Sequence, residues 1–149
     1  MENIMGIGVG VILLNDEGKV LLLLRNNDEK LADSNMHYEG QYTLPAGKVK
    51  FGETLEQAAI RKVKAETNLD IKEEDTSVIC LLNDHNEYAH YATIGLVVKK
   101  YSGDLDLGDS LEHIGYMYAD LNDLPINTCK SSKEIIDRYL NNTFYVRGE

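Results

Sequence analysis

The chain has 149 residues, 43% of them hydrophobic, with 25 acids against 15 Lys and Arg and a formal net charge of −10. That length builds one domain with a real core. The acid surplus repels polyanions and excludes broad electrostatic binding to a DNA or RNA polymer, whereas a compact site for one small anion needs only a few local donors.

Ile7 to Leu14 and Val20 to Leu24 are apolar runs rich in Val, Ile and Leu. Asn15-Asp16-Glu17-Gly18 between them predicts a β-hairpin. The polar stretch from Asn26 to Gly40 reads as a loop, and Tyr42 to Leu44 as a short strand that stops at Pro45. A helix follows. Thr54 and Gln57 have the spacing of a capping box, which makes Thr54 the expected N-cap. Leu55, Ala59 and Val63 recur every fourth residue as a core-facing stripe, and Asn68 suits a left-handed helix end. Ser77 to Leu82, Tyr91 to Val98 and Ile114 to Tyr118 are further strand candidates. A second helix is expected from about Ser132 to Leu140, burying Ile135, Ile136, Tyr139 and Leu140, with Ser131 and Glu134 as a second capping box. Mostly strands, with one helix in the middle and one near the end, imply an α/β domain in which helices cover a sheet.

No Cys-x-x-Cys pair is present, and Cys80 and Cys129 read as reduced core thiols of a cytosolic protein. No basic stretch leads into a long apolar run, so a signal peptide is not expected. The longest greasy run, Val20 to Leu24, is too short to span a membrane.

The segment from Gly47 to Leu69, GKVKFGETLEQAAIRKVKAETNL, carries the chemistry. Gly47, Glu53, Arg61, Val63, Glu66 and Leu69 stand at the spacing G-x5-E-x7-R-E-U-x-E-E-x-G-U, where U is aliphatic. The segment resembles the Nudix box. Gly40 to Gly47, the opening strands and His90-Tyr91-Ala92-Thr93-Ile94 extend the likeness to the MutT-like nucleoside-triphosphate pyrophosphatase branch. The resemblance implies one Nudix domain over residues 1–149, an α/β/α sandwich around a mixed sheet. It also implies hydrolysis of nucleoside diphosphate-linked compounds with Mg²⁺ or Mn²⁺, held by box glutamates. The expected ligand is a nucleotide-type small molecule, and a homodimer is compatible with the family.

One patch departs from the pattern. Residues 62, 65 and 66 share a helical face. Lys62 and Ala65 replace two glutamates there, and Asn68 replaces a glycine. Three glutamates would bring three negative charges to a metal cluster; the charges of Lys62 and Glu66 cancel. Mg²⁺ prefers several hard oxygen ligands, so weak or absent metal binding is expected.

The resemblance makes Glu53, Arg61 and Glu66 candidate catalytic residues, and Glu66 with the Ala46 carbonyl candidate metal ligands. Each also has a plain reading. Glu66 is positioned to pair with Lys62, Glu53 favours the positive end of the helix, and Arg61, without an acid at 62, must find another carboxylate. Lys62 either binds a phosphate directly or fills the former metal site. Glu112 and Asp109 lie where family members supply an extra acid, and on so acidic a chain they also read as solvated carboxylates. Tyr42, His37 and Tyr38 offer aromatic faces to a base or pack in the fold. His85 and His90 have no metal-ligand partners in the sequence. Three functional readings follow: a hydrolase with an impaired metal site, a non-catalytic nucleotide-binding or regulatory module, and a structural domain with a vestigial site.

Overall fold

The computed structural model describes residues 3–149. Strand β1 (Ile4–Leu13) runs through the centre of the molecule. It pairs in parallel with β6 (Ala89–Val98) and antiparallel with β4 (Ala46–Lys48). The outer strand β5 (Thr76–His85) completes a mixed four-stranded sheet in the order β4-β1-β6-β5. A second, antiparallel sheet has the order β3-β2-β7, from Tyr42–Thr43, Val20–Arg25 and His113–Ala119.

Alternation along the central strands sends side chains to two helices. Val9, Val11, Leu13, Leu21 and Leu23 pack with Ala58, Ala59 and Val63 of helix α2 (Leu55–Thr67). Ile12, Leu14, Val20 and Leu22 pack with Ile135 and Ile136 of helix α3 (Lys130–Asn141). The sheets are therefore covered on both sides, the α/β/α arrangement expected.

Three local expectations change. The turn after β1 forms, with Asn15 Oδ1 accepting the Glu17 and Lys19 N–H groups. However, Leu14 and Val20 make only an isolated bridge, and the two strands then enter different sheets. The stretch 26–40 holds a short helix, α1 (Glu29–Ala32), capped by the side chain of Asp28. Helix α3 starts from Cys129 without a side-chain cap, because Ser131 is engaged elsewhere. Its buried stripe includes Ile135 and Ile136, whereas Leu140 is exposed. Among the described residues, no helix is long and apolar enough to cross a membrane.

Candidate functional site

Helix α2 is fixed at both ends by its own sequence. Thr54 Oγ1 accepts the Gln57 N–H at 3.1 Å, and Gln57 Oε1 accepts the Thr54 N–H at 2.9 Å, the reciprocal box expected. At the other end Asn68 adopts φ 65°, and its side-chain amide donates to Asp104 O at 3.1 Å. With Ala59 and Val63 turned into the core, the opposite face carries Arg61, Lys62 and Ala65. Arg61 and Lys62 line a cavity of about 610 Å³, together with Ala46, Gly47, Lys48 and Glu112.

Arg61 finds its carboxylate in Glu53. Its Nε donates to Oε2 at 2.6 Å and its Nη2 to Oε1 at 2.9 Å, while Nη2 also reaches the Lys48 carbonyl at 2.8 Å. The Lys50 N–H adds a further bond to Glu53 Oε1 at 2.9 Å. The Arg61 hydrogen bonds, then the Lys50 N–H, hold the Glu53 carboxyl down at about 2. The Glu53–Arg61 pair thus ties the loop ahead of α2 to the helix and, through Arg61, to β4.

Lys62 Nζ stands 3.6 Å from Glu66 Oε2. The Lys62 stem crosses directly over Gly47, where a Cβ would lie 2.2 Å from Lys62 Cε. Any side chain at 47 would force the Lys62 stem to move off this path. Behind this stem Glu66 is only 6% exposed, and it does not line the cleft, whereas Lys62 does. The Ala46 N–H donates to its Oε1 at 3.0 Å. Burial lifts the Glu66 carboxyl to about 7, against the opposing pull of Lys62 and the Ala46 N–H. Ala46 itself lines the cleft.

Downstream, Glu112 reaches the cleft wall, where Arg25 Nη1 lies 3.5 Å from its Oε1. Asp109 stays exposed. Glu112 and its neighbour His113 bring ligand atoms within 4.8 Å of Glu66 and of one another. His113 is held neutral, its pKa lowered to about 4 by burial and then by Arg25 and Lys62.

The box helix does not supply the hard oxygen set of Mg²⁺. Ala65 has no side-chain ligand atom, and the ammonium of Lys62 stands 3.6 Å from Glu66 on the same face.

The aromatic expectations divide. Tyr42 packs beside the Ile12 and Ile135 core cluster and does not line the cleft, because its strand pairing with Leu24 sets that face. His37 stacks on Tyr88 and lies 3.2 Å from Glu39. Tyr38 does line the cleft, its hydroxyl 2.7 Å from Ser131 Oγ. Ser131 Oγ lies 2.8 Å from both oxygens of Asp84, which also accepts from Thr93 at 3.1 Å. Asp84, Arg25 and His113 carry no sequence motif. The adjacent pair Glu112-His113 at the start of β7 was the one available signal for the last.

A NUDIX domain model matches residues 5–139. An ADP-ribose pyrophosphatase of Methanocaldococcus jannaschii is 29% identical over 113 residues, 76% of this chain and 61% of that protein. An NAD-capped RNA hydrolase, NudC, of Edwardsiella ictaluri is 44% identical over 54 residues, 36% of this chain and 21% of that protein. The chain therefore spans less than two thirds of either curated relative. Among solved structures, the MutT protein of Methanosarcina mazei superposes with a TM-score of 0.77 at 23% identity, covering 95% of this chain and 96% of that one. The Nudix domain of Shewanella oneidensis NrtR, solved with ADP ribose, gives 0.69 at 16% identity, covering 95% and 88%. These two likenesses carry the fold, the family model spans both sheets and nearly all of α3, and the chain belongs to the Nudix family.

Proposed function

We propose that this protein binds nucleoside diphosphate-linked small molecules in the cleft beside α2 and hydrolyses their phosphoanhydride inefficiently with Mg²⁺. The observation that carries the reading is the Lys62–Glu66 pair, 3.6 Å apart, at the face where the family's metal-holding glutamates belong. Family membership, with an ADP-ribose pyrophosphatase and an NAD-capped RNA hydrolase among the relatives, supports the substrate class. Lys48, Lys50, Arg61 and Lys62 line one cleft and give it the cationic character a pyrophosphate requires. That same set favours the second reading, a nucleotide-binding or regulatory module that grips its ligand without turnover. Buried thiols at Cys80 and Cys129 support a reducing, cytoplasmic setting.

Calorimetry with ADP-ribose, NADH and nucleoside triphosphates in chelator, followed by hydrolysis assays with Mg²⁺, tests the proposal. Binding in chelator with slow Mg²⁺ turnover is expected. Binding with no turnover selects the second reading. Rapid Mg²⁺ turnover removes the impaired-site reading, and no binding to any of these compounds removes the ligand class.

A further inference from the structure

Strand β6 lies between β1 and β5, and one row across these three strands is made of donor side chains. His90 is the register partner of His85 on β5 and of Met5 on β1. By the two-residue alternation of a strand, all three side chains share the face that carries Val9, Ile94 and Leu81 further along. Those three pack with the α2 core, whereas the outer end of the face is open: Met5 is 72% exposed, and His85 and His90 are exposed as well. The two imidazole rings lie 5.2 Å apart, centre to centre. One ion can therefore bridge them through side-chain rotation alone. The backbone beneath the pair is pinned. Asn86 Oδ1 accepts the Tyr88 N–H at 2.8 Å and the Ala89 N–H at 3.1 Å, and the Asn86 N–H donates to Ala89 O at 3.0 Å. The Asn86 side-chain amide also donates to Met36 O at 2.9 Å, which anchors the loop between the two histidines. This row is invisible in the sequence, because Met5 joins it only through the parallel pairing of β1 with β6.

We propose that Met5, His85 and His90 form a surface binding site for a soft monovalent cation of the Cu⁺ class. The donor set decides the class. Thioether sulfur selects Cu⁺, and imidazole nitrogen accepts it. Zn²⁺ is held by thiolate, imidazole or carboxylate, and Mg²⁺ and Ca²⁺ by oxygen. Two neutral imidazoles and a thioether bring no charge to the ion. The next row along the same face is Ile7, Ala92 and Asn83, so neither row offers a carboxylate to neutralise a divalent cation. Three hydrogen-bonded strands hold the three donors side by side, and little backbone ordering is left for the ion to impose. None of the three residues lines the cleft beside α2, so the site is independent of the function proposed above.

Anaerobic titration of the full chain with Cu⁺ against a chromophoric Cu⁺ chelator, beside calorimetry with Zn²⁺, provides the test. One Cu⁺ per chain should bind, more tightly than Zn²⁺ by on the order of 10-fold or more. His85→Ala and His90→Ala should each weaken Cu⁺ by at least the roughly 10-fold that a metal site loses with a merely supporting residue. Met5→Leu keeps the apolar bulk and removes the sulfur, so it should weaken Cu⁺ and leave Zn²⁺ unchanged. All three positions are exposed, and the variants should melt with the wild type. The buried thiols of Cys80 and Cys129 are competing soft donors that every one of these variants retains. Cu⁺ binding that survives in the double variant His85→Ala with His90→Ala places the ion elsewhere and overturns the site. Absence of Cu⁺ binding, tighter binding of Zn²⁺ than of Cu⁺, or wild-type Cu⁺ affinity in Met5→Leu overturns it equally.

Discussion

Lys62 and Glu66 lie one turn apart on α2, with the ammonium 3.6 Å from Oε2 of a carboxylate that is otherwise buried. The pair is more than a surface i,i+4 contact of a few tenths of a kcal/mol. Lys62 shields Glu66 from solvent, and in the function proposed above it also occupies the face where a metal cluster needs oxygen.

Restoring two acids, Lys62→Glu with Ala65→Glu, should raise Mg²⁺-dependent pyrophosphohydrolase activity on the order of 10–100-fold, the scale on which metal sites respond to their surroundings. Each single change should do less, since it leaves either a missing ligand or a competing cation. The effects should therefore be strongly non-additive. Ala65 is exposed, so its new side chain meets no packing barrier. Three carboxylates without metal repel one another, and the double variant should melt lower in chelator and recover with Mg²⁺. A wild type that already turns over as fast as the double variant removes the idea that these two positions limit activity.

Glu53 gives a pH signature. Its folded pKa of about 2 lies below the ordinary 4.5, so the unfolded chain takes up its proton first as pH falls. The Glu53–Arg61 contribution is complete above about pH 4.5 and is lost as pH falls toward 2. Thermal melts of wild type and Glu53→Gln should differ at pH 6, with the variant lower, and converge near pH 2. A gap that does not change between those limits would show that the ion pair is not the source of stability.

The parts of α2 that were legible in the sequence are those that local chemistry decides. Thr54 and Gln57 cap each other, and Asn68 takes the left-handed turn, without any help from distant segments. The partner of β2 was not legible. Val20 to Leu24 reads as a strand from any direction, but its pairing with β7 instead of β1 is settled by which residues meet across the core. The site divides in the same way. Lys62 beside Glu66 follows from helical spacing, and the Glu53–Arg61 clasp completes the box. His113 becomes a neighbour of Glu66 only because β7 pairs with β2. Tyr42 belongs to the core because its strand faces α3.

Ser131 separates a local reading from a tertiary one. A capping box would couple Ser131 to Glu134; the structure instead places Ser131 between Tyr38 and Asp84. Ser131→Ala should cost about 1–3 kcal/mol, because it leaves a buried carboxylate short of a donor. In double-mutant cycles by urea denaturation, the coupling should appear with Asp84→Asn and be near zero with Glu134→Ala. Coupling to Glu134 alone would restore the capping box.

Gly95 tests the packing between the sheet and α3. It pairs with Cys80 across β5 and β6, beside the irregularity between Val78 and Cys80. A Cβ at position 95 would meet Cys80 Sγ at 2.5 Å and Ile135 Cγ2 at 2.9 Å. Both neighbours are buried, and the branched Ile135 has little freedom to turn away. Gly95→Ala should therefore destabilise by about 1–3 kcal/mol through overpacking, even though alanine is the smallest possible addition. Cys80→Ala removes the closer obstacle, at the cost of a small void of its own. Combining the two should return part of the loss, with a favourable coupling on the order of 1 kcal/mol. Urea denaturation of wild type, both singles and the double measures it. Strict additivity would mean that the sheet shifts to admit the new methyl and that Cys80 does not set the spacing between β6 and α3.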